Sequence, residues 1–352
     1  MKKFVCALMA LMVAASLAGC GGDTNTSTST STDTSTSTST STEQADPLTF
    51  RFAHIGIPGE ILTQYADEYA VRINEATGGA VSFDIYGNSA LGNVEEMING
   101  VKNGTIDIGM HDFASLEKFV PDMAAFNCPF VFDDAAHSMR VTDPYSSEIM
   151  MNLNEELVQA ANMRIIANCY RGARELTCTF PVYSPADLAG KKIRGVSNPV
   201  WMTMIEGMGA TPTPVEYSEL ATALATGVVD GQENPLNNIY SSKMYEVQPY
   251  IMMTNHMQAI QTIFMNENSW QSISEDNQKI MEDVAVEMGD LSIQWTEDGD
   301  KQIIEELTAA GITFIDESNG LKLDEFKEAV LAKVNEDYPE WAEMIEQMQA
   351  MK

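Results

Sequence analysis

Between residues 47 and 352 the chain has seven arginines, at 51, 72, 140, 164, 171, 174 and 194, against 47 acidic residues. Two of them, Arg174 and Arg194, adjoin strand-like segments, where a surface role is less natural. A guanidinium presents a planar fork of donors that matches a carboxylate, and it keeps its charge at any ordinary pH. It therefore suits a buried, repeatedly filled anion site better than lysine does. The competing reading is that each arginine pairs with one of the many carboxylates of the chain. His54 and Asp112 are candidates to bind hydroxyls or an amino group, and His54 reads equally well as a satisfied strand-end histidine. Phe113, Trp201 and Tyr217 fit either a pocket wall or the core.

Several chemistries lack their residues. No GxxxxGK[ST] loop, no GxGxxG between a strand and a helix, no GxSxG elbow, no HExxH and no CxxC pair occurs. Gly78-Gly79 reads as the turn that closes a helix. The histidines are scattered at 54, 111, 137 and 256, and Cys128, Cys169 and Cys178 show no metal-like spacing, so neither a metal nor a cofactor is expected. A hairpin turning near Gly172 would let Cys169 and Cys178 meet. The formal charge of −31 excludes a broad cationic face for nucleic acid. Any anion must be caught by a few individually placed basic residues.

The elements that would position these residues alternate along the chain. Leu48 to His54, Val81 to Tyr86 and Ile106 to Met110 read as strands, and Gly59 to Ala76 and Gly92 to Val101 as helices, a βαβαβ opening of an α/β protein. Ser274, Glu275 and Asp276 start a helix whose stripe Ile280, Val284, Met288, Leu291 and Trp295 continues toward Gly311, long enough to bridge two lobes. Further helices begin near Asp324 and Pro339. With 352 residues and 44% hydrophobic content, about two domains are expected.

The N-terminus reads as processing. Lys2 and Lys3 precede the apolar run Phe4 to Leu17, too short for the ~20 residues of a spanning helix. Leu17-Ala18-Gly19-Cys20 resembles the lipobox of bacterial lipoproteins, which would make residues 1–19 a signal peptide and Cys20 the lipidated first residue; a plain secretory signal is the alternative. Residues 20–46, rich in Ser and Thr, contain almost nothing to bury, which predicts a flexible tether to a folded part at 47–352. Removing Lys2, Lys3, Asp23, Asp33, Glu43 and Asp46 leaves that folded part at −29.

The middle of the chain carries the most specific pattern. Gly172-Ala173-Arg174 is followed by Ser184-Pro185-Ala186-Asp187-Leu188-Ala189-Gly190-Lys191-Lys192-Ile193-Arg194, then Gly209-Ala210-Thr211-Pro212-Thr213-Pro214, Glu219, Ala223-Leu224 and Gly227-Val228-Val229-Asp230-Gly231-Gln232-Glu233-Asn234-Pro235. This resembles the extracytoplasmic substrate-binding proteins of TRAP (tripartite ATP-independent periplasmic) transporters, the DctP type, from about Leu48 to about Asn319. Gly195 stands where that family usually has valine, and Ala221 where an aromatic is common.

The resemblance implies a two-lobed α/β fold of the type II-like periplasmic-binding-protein kind, with mixed sheets and a long lobe-bridging helix. It places 48–171 and 260–299 in the first lobe and 172–259 and 300–352 in the second. It implies that Arg194 forms a bidentate pair with a ligand carboxylate, that Arg174 supports the same anion, and that Asn234 orients ligand and arginine. The expected function is capture of a small organic anion and its delivery to the membrane subunits of a TRAP-type secondary transporter, without enzymatic chemistry, by a protein lipid-anchored outside the cytoplasm. An enzyme, the receptor of an ATP-driven importer and a ligand-sensing or adhesive lipoprotein are the rival readings.

Overall fold

The structure, a computed structural model, describes residues 46–352; the signal peptide, Cys20 and nearly all of the tether expected from the sequence lie outside the described residues. The first strand, β1 (Leu48–His54), is followed by α1 (Ile61–Ala76), β2 (Val81–Tyr86), α2 (Val94–Asn103) and β3 (Ile108–Asp112). The sequence periodicity and these elements agree because each is locally marked. Helix α2, for example, starts on an Asn93/Glu96 capping box and stops at Gly104 in the left-handed region. After α3 (Ala135–Thr142) and α4 (Glu148–Ala161) comes β4 (Met163–Cys178), a 16-residue strand.

Next come β5 (Lys192–Gly195), α5 (Pro199–Gly207), β6 (Thr211–Pro214), α6 (Tyr217–Ala225), β7 (Gly231–Pro235), α7 (Leu236–Ser241) and β8 (Tyr250–Met252). The chain then returns through β9 (Gln258–Asn266) and α8 (Glu267–Gln271) to α9 (Glu275–Ala309), β10 (Thr313–Ile315), α10 (Leu323–Asp337) and α11 (Ala342–Ala350). The main strand order is β2-β1-β3-β9-β4-β7-β5-β6, with β8 and β10 off this path. Strands β1, β2 and β3 are parallel, β9 runs antiparallel to β3 and β4, and β5 is parallel to β6 and β7.

Two lobes share the long strand. Its first part pairs with β9 through Ala173, and Arg174–Cys178 pairs with β7. Helix α9, 35 residues long, joins the lobes a second time. Its first half puts Met281, Val284 and Met288 into a core with Phe52, Tyr65, Tyr69 and Ile263. Its last turns put Ile303 and Leu307 into a separate core with Leu220, Ile239 and Ile251. The apolar stripe is not continuous between them: Ser292 and Thr296 are the buried residues there, and Leu291 and Trp295 are only partly covered.

Strand β4 explains that interruption. Between Tyr170 and Ala173 its register with β9 gains one residue, a bulge at Gly172, whose φ of 112° needs glycine. The bulge frees the backbone of Tyr170, and α9 satisfies it: Tyr170 N–H donates to Ser292 Oγ at 2.9 Å, and Thr296 Oγ1 donates to the Tyr170 carbonyl at 3.4 Å. The strand runs through Gly172 without a hairpin, so Cys169 and Cys178 do not meet; all three described cysteines are free and buried.

One boundary differs from the sequence expectation of 300–352 in the second lobe. Helix α10 does pack there, with Phe326 and Val330 in the core beside α5. Beyond it the chain crosses back: Trp341 Nε1 donates to Asp122 at 3.2 Å, the Met348 carbonyl meets His137 Nε2 at 2.9 Å, and Arg140 Nε donates to the Met351 carbonyl at 2.9 Å. Trp341, stacked on Tyr338, and Met348 are buried in this return.

Candidate functional site

A cleft of about 320 Å³ opens between the lobes, within the size range of small-molecule sites. Of the residues singled out in the sequence, Arg174, Arg194, Asn234, Asp112, Trp201 and Tyr217 line it. His54 and Phe113 do not. The His54 ring lies against Gly87, accepts from Gly56 N–H at 3.1 Å through Nδ1, and burial lowers its pKa to about 4. Phe113 is fully buried against Phe126, with ring centroids 5.0 Å apart, because the turn after β3 directs it into the core.

The arginines divide by their counter-ions. Arg174, 2% exposed, forks Nε and Nη2 onto the Glu233 carboxylate, with Nη2 at 2.8 Å from Oε1, and lies over the Trp201 ring at 5.6 Å. Glu233 also accepts from Trp201 Nε1 at 3.2 Å and meets His256 Nε2 at 3.1 Å. Burial opposes ionisation of Glu233, but Arg174 and His256 outweigh it and hold the carboxyl at about 2. Arg174 is thus matched inside the protein, with its fork edge already taken.

Arg194 has no such partner. It is 3% exposed, its Nε donates to the Val215 carbonyl at 2.9 Å, and no carboxylate among the described residues pairs with it. Burial lowers its pKa to about 10, with Arg174 adding to the drop against Glu233, and it remains charged at neutral pH. Neither Nη group carries a hydrogen bond to the described residues. This is an open fork lining a cleft.

Asn234 sits between neighbouring guanidiniums, its Oδ1 3.3 Å from Arg174 Nη2 and 3.5 Å from Arg171 Nη2. Arg171 is a cleft residue that the sequence reading leaves out. In a regular strand, residues three apart point to opposite faces, and only the bulge at Gly172 brings Arg171 and Arg174 to the same cleft. Glycine between the two arginines is the one local signal for it.

Two further residues were beyond local reading. Glu60, 1% exposed in the turn before α1, accepts from Tyr217 OH and from Asn238 Nδ2, the latter at 2.8 Å. Burial, then Glu60, raises the Tyr217 phenol to about 12. These bonds join the lobes, as do Ile61 N–H to Asn237 Oδ1 at 2.9 Å and Asn198 Nδ2 to the Ala114 carbonyl at 2.9 Å. At the end of β3, Asp112 accepts from Gln261, and His111 is kept from protonating by burial and by Arg171, Arg174 and Arg194, against the pull of Asp112. The cleft therefore brings cations and acceptors together in one lining.

Comparison with known proteins matches this geometry. Residues 52–341 fit the family described as bacterial extracellular solute-binding protein, family 7, the DctP family. A solute-binding protein of Roseobacter denitrificans is 31% identical over 298 residues, covering 83% of this chain and 89% of that one. A sialic acid-binding periplasmic protein of Vibrio cholerae is 29% identical over 77% of this chain and 83% of its own length. The solved TRAP periplasmic solute-binding protein of Actinobacillus succinogenes with bound L-galactonate superposes with a TM-score of 0.79 at 26% identity, over 86% of this chain and 99% of that one. The match spans both lobes and every strand that carries a cleft residue, so the chain belongs to the DctP family of extracytoplasmic solute-binding proteins that serve TRAP transporters.

Proposed function

We propose that the cleft captures an organic carboxylate on the two free Nη groups of Arg194 and releases it to TRAP membrane subunits, with no covalent step. The observation that carries this reading is Arg194 itself: a buried guanidinium without a carboxylate in a protein of charge −31. A buried charge without a partner costs several kcal/mol, and an anionic ligand offsets that cost when it binds. Asn234 and Trp201 shape the wall around the anion, Arg174 fixes that wall through Glu233, and Asp112 and Tyr217 offer polar contacts to hydroxyls. The galactonate held by the Actinobacillus relative is a hydroxylated carboxylate of this type.

Calorimetry against a panel of organic acids tests the reading. Arg194→Ala should weaken the best-bound acid by about thirtyfold or more, the effect of truncating a buried charged partner. Unchanged affinity would remove Arg194 from the site. We also propose that Cys20 is lipidated and that residues 21–46 tether the folded part to the membrane. Cys20→Ser should then move the protein from the membrane fraction to the soluble fraction at unaltered ligand affinity, and equal membrane retention of both forms would refute the anchor.

A further inference from the structure

Three guanidiniums enter one cleft and only one is neutralised by a carboxylate. Arg171 is 5% exposed, and its Nη2 donates to Asn238 Oδ1 at 2.9 Å, with Asn234 Oδ1 at 3.5 Å. Its Nε is buried with no partner among the described residues. No described carboxylate pairs with it directly. Glu60 is reached only through the Asn238 amide, which donates to Glu60 while accepting from Arg171. In so acidic a chain a direct partner would be easy to supply, so a second buried cation left with amides alone needs another explanation.

Strand register orders the three arginines. Arg194 on β5 lies beside Gln232 of β7, Arg174 on β4 lies beside Pro235, and Arg171 reaches Asn238, just past the end of β7. The two unneutralised guanidiniums are thus at the two ends of the row, with the Arg174–Glu233 pair between them. Asn234 bridges the middle and the Arg171 end.

We propose that Arg171 is a specificity-determining residue that binds a second acidic group of the solute, so that the cleft selects organic acids charged at both ends over singly charged acids of equal length. This rests on the reading in which Arg194 holds the first carboxylate. The second group approaches the free Nη1 of Arg171 while Asn238 holds Nη2, so binding does not break the Asn238–Glu60 contact across the lobes.

Matched pairs of acids test this by calorimetry: butyrate with succinate, pentanoate with glutarate, and galactonate with galactarate. The wild type should prefer the diacid of its best-bound pair by about tenfold or more. Arg171→Gln, which retains an amide donor toward Asn238, should weaken that diacid by about tenfold or more and leave the monoacid within about threefold. Arg171→Lys, which keeps a point charge, should fall between them. Thermal unfolding of each variant without ligand controls for folding. Equal weakening of both acids in Arg171→Gln would show Arg171 to be only a positioning residue for Asn238 and Glu60, and would overturn the proposal. A wild type that binds monoacids as well as diacids would overturn it too, while leaving the Arg194 reading intact. Loss of the Arg194→Ala effect on both acids would instead refute the underlying carboxylate reading.

Discussion

Arg174 and Arg194 are the same side chain in two different electrostatic roles. Glu233 accepts two bonds from Arg174 and one each from Trp201 and His256, and so converts a mobile cation into a fixed, neutral platform under the ligand wall. Arg194 keeps its charge and its two free Nη groups, and holds its direction through the Val215 carbonyl alone. Fork geometry decides what replaces it. Arg194→Lys should lose nearly as much affinity as Arg194→Ala, because one ammonium cannot both bond Val215 and grip a carboxylate at two points. Calorimetry giving the lysine variant near-wild-type affinity would mean that charge alone suffices.

At the scale of elements, the bulge in β4 and the middle of α9 form one unit. Gly172 makes the bulge, Ser292 and Thr296 satisfy the backbone it frees, and two arginines reach one cleft as a result. Added bulk at Gly172 would meet Pro235 and Thr296 at 3.2 Å in a backbone that other residues rarely adopt. Just beyond it, two carboxyls are sequestered at the same junction: burial pushes Glu175 up to about 8 and Asp300 up to about 7. Their folded pKa values exceed the unfolded ones, so the unfolded chain releases these protons first as pH rises. Stability is then full below about pH 4 for these groups and falls from there through about pH 8. The double variant Glu175→Gln/Asp300→Asn should flatten that decline and gain several kcal/mol over wild type at pH 9. Denaturant titrations across pH 5 to 9 with parallel slopes for both proteins would show that the pair does not set the pH dependence.

The whole molecule sets a local positive site within a strongly negative field. The folded part at −29 repels an anion at long range, whereas Arg171 and Arg194 attract it inside a cleft shielded by both lobes. Beyond a Debye length of ~8 Å at physiological salt the distant carboxylates are screened, but the enclosed guanidiniums are not. Affinity should therefore stay level or rise slightly as salt increases. The bonds from Glu60 to Tyr217 and Asn238, and from Asn198 to Ala114, link opposite lobes across the cleft, so any opening of the lobes must break them and closure on a ligand re-form them. Small-angle scattering should accordingly show compaction when the acid is added. Unchanged dimensions together with a steep loss of affinity in salt would indicate an open surface site instead.

The sequence by itself determined the family, the α/β order of elements and the candidates Arg194, Arg174 and Asn234, because these depend on short motifs and local periodicity. Strands β1 and β2 and the start of α9 follow from alternation, helical stripes and the Ser274 cap, all signals within a few residues. Tertiary structure decided which arginine is matched and which is free, since Glu233 lies 59 residues from Arg174. It decided that Arg171 joins the cleft, because one extra residue in β4 overrides strand alternation. It turned His54 and Phe113 away from the cleft, sent the C-terminal segment back to the first lobe, and brought Glu60 to Asn238 across 178 residues. Periodicity reports which face of an element is apolar; which charges meet depends on how those faces stack, and that is fixed only when the lobes pack.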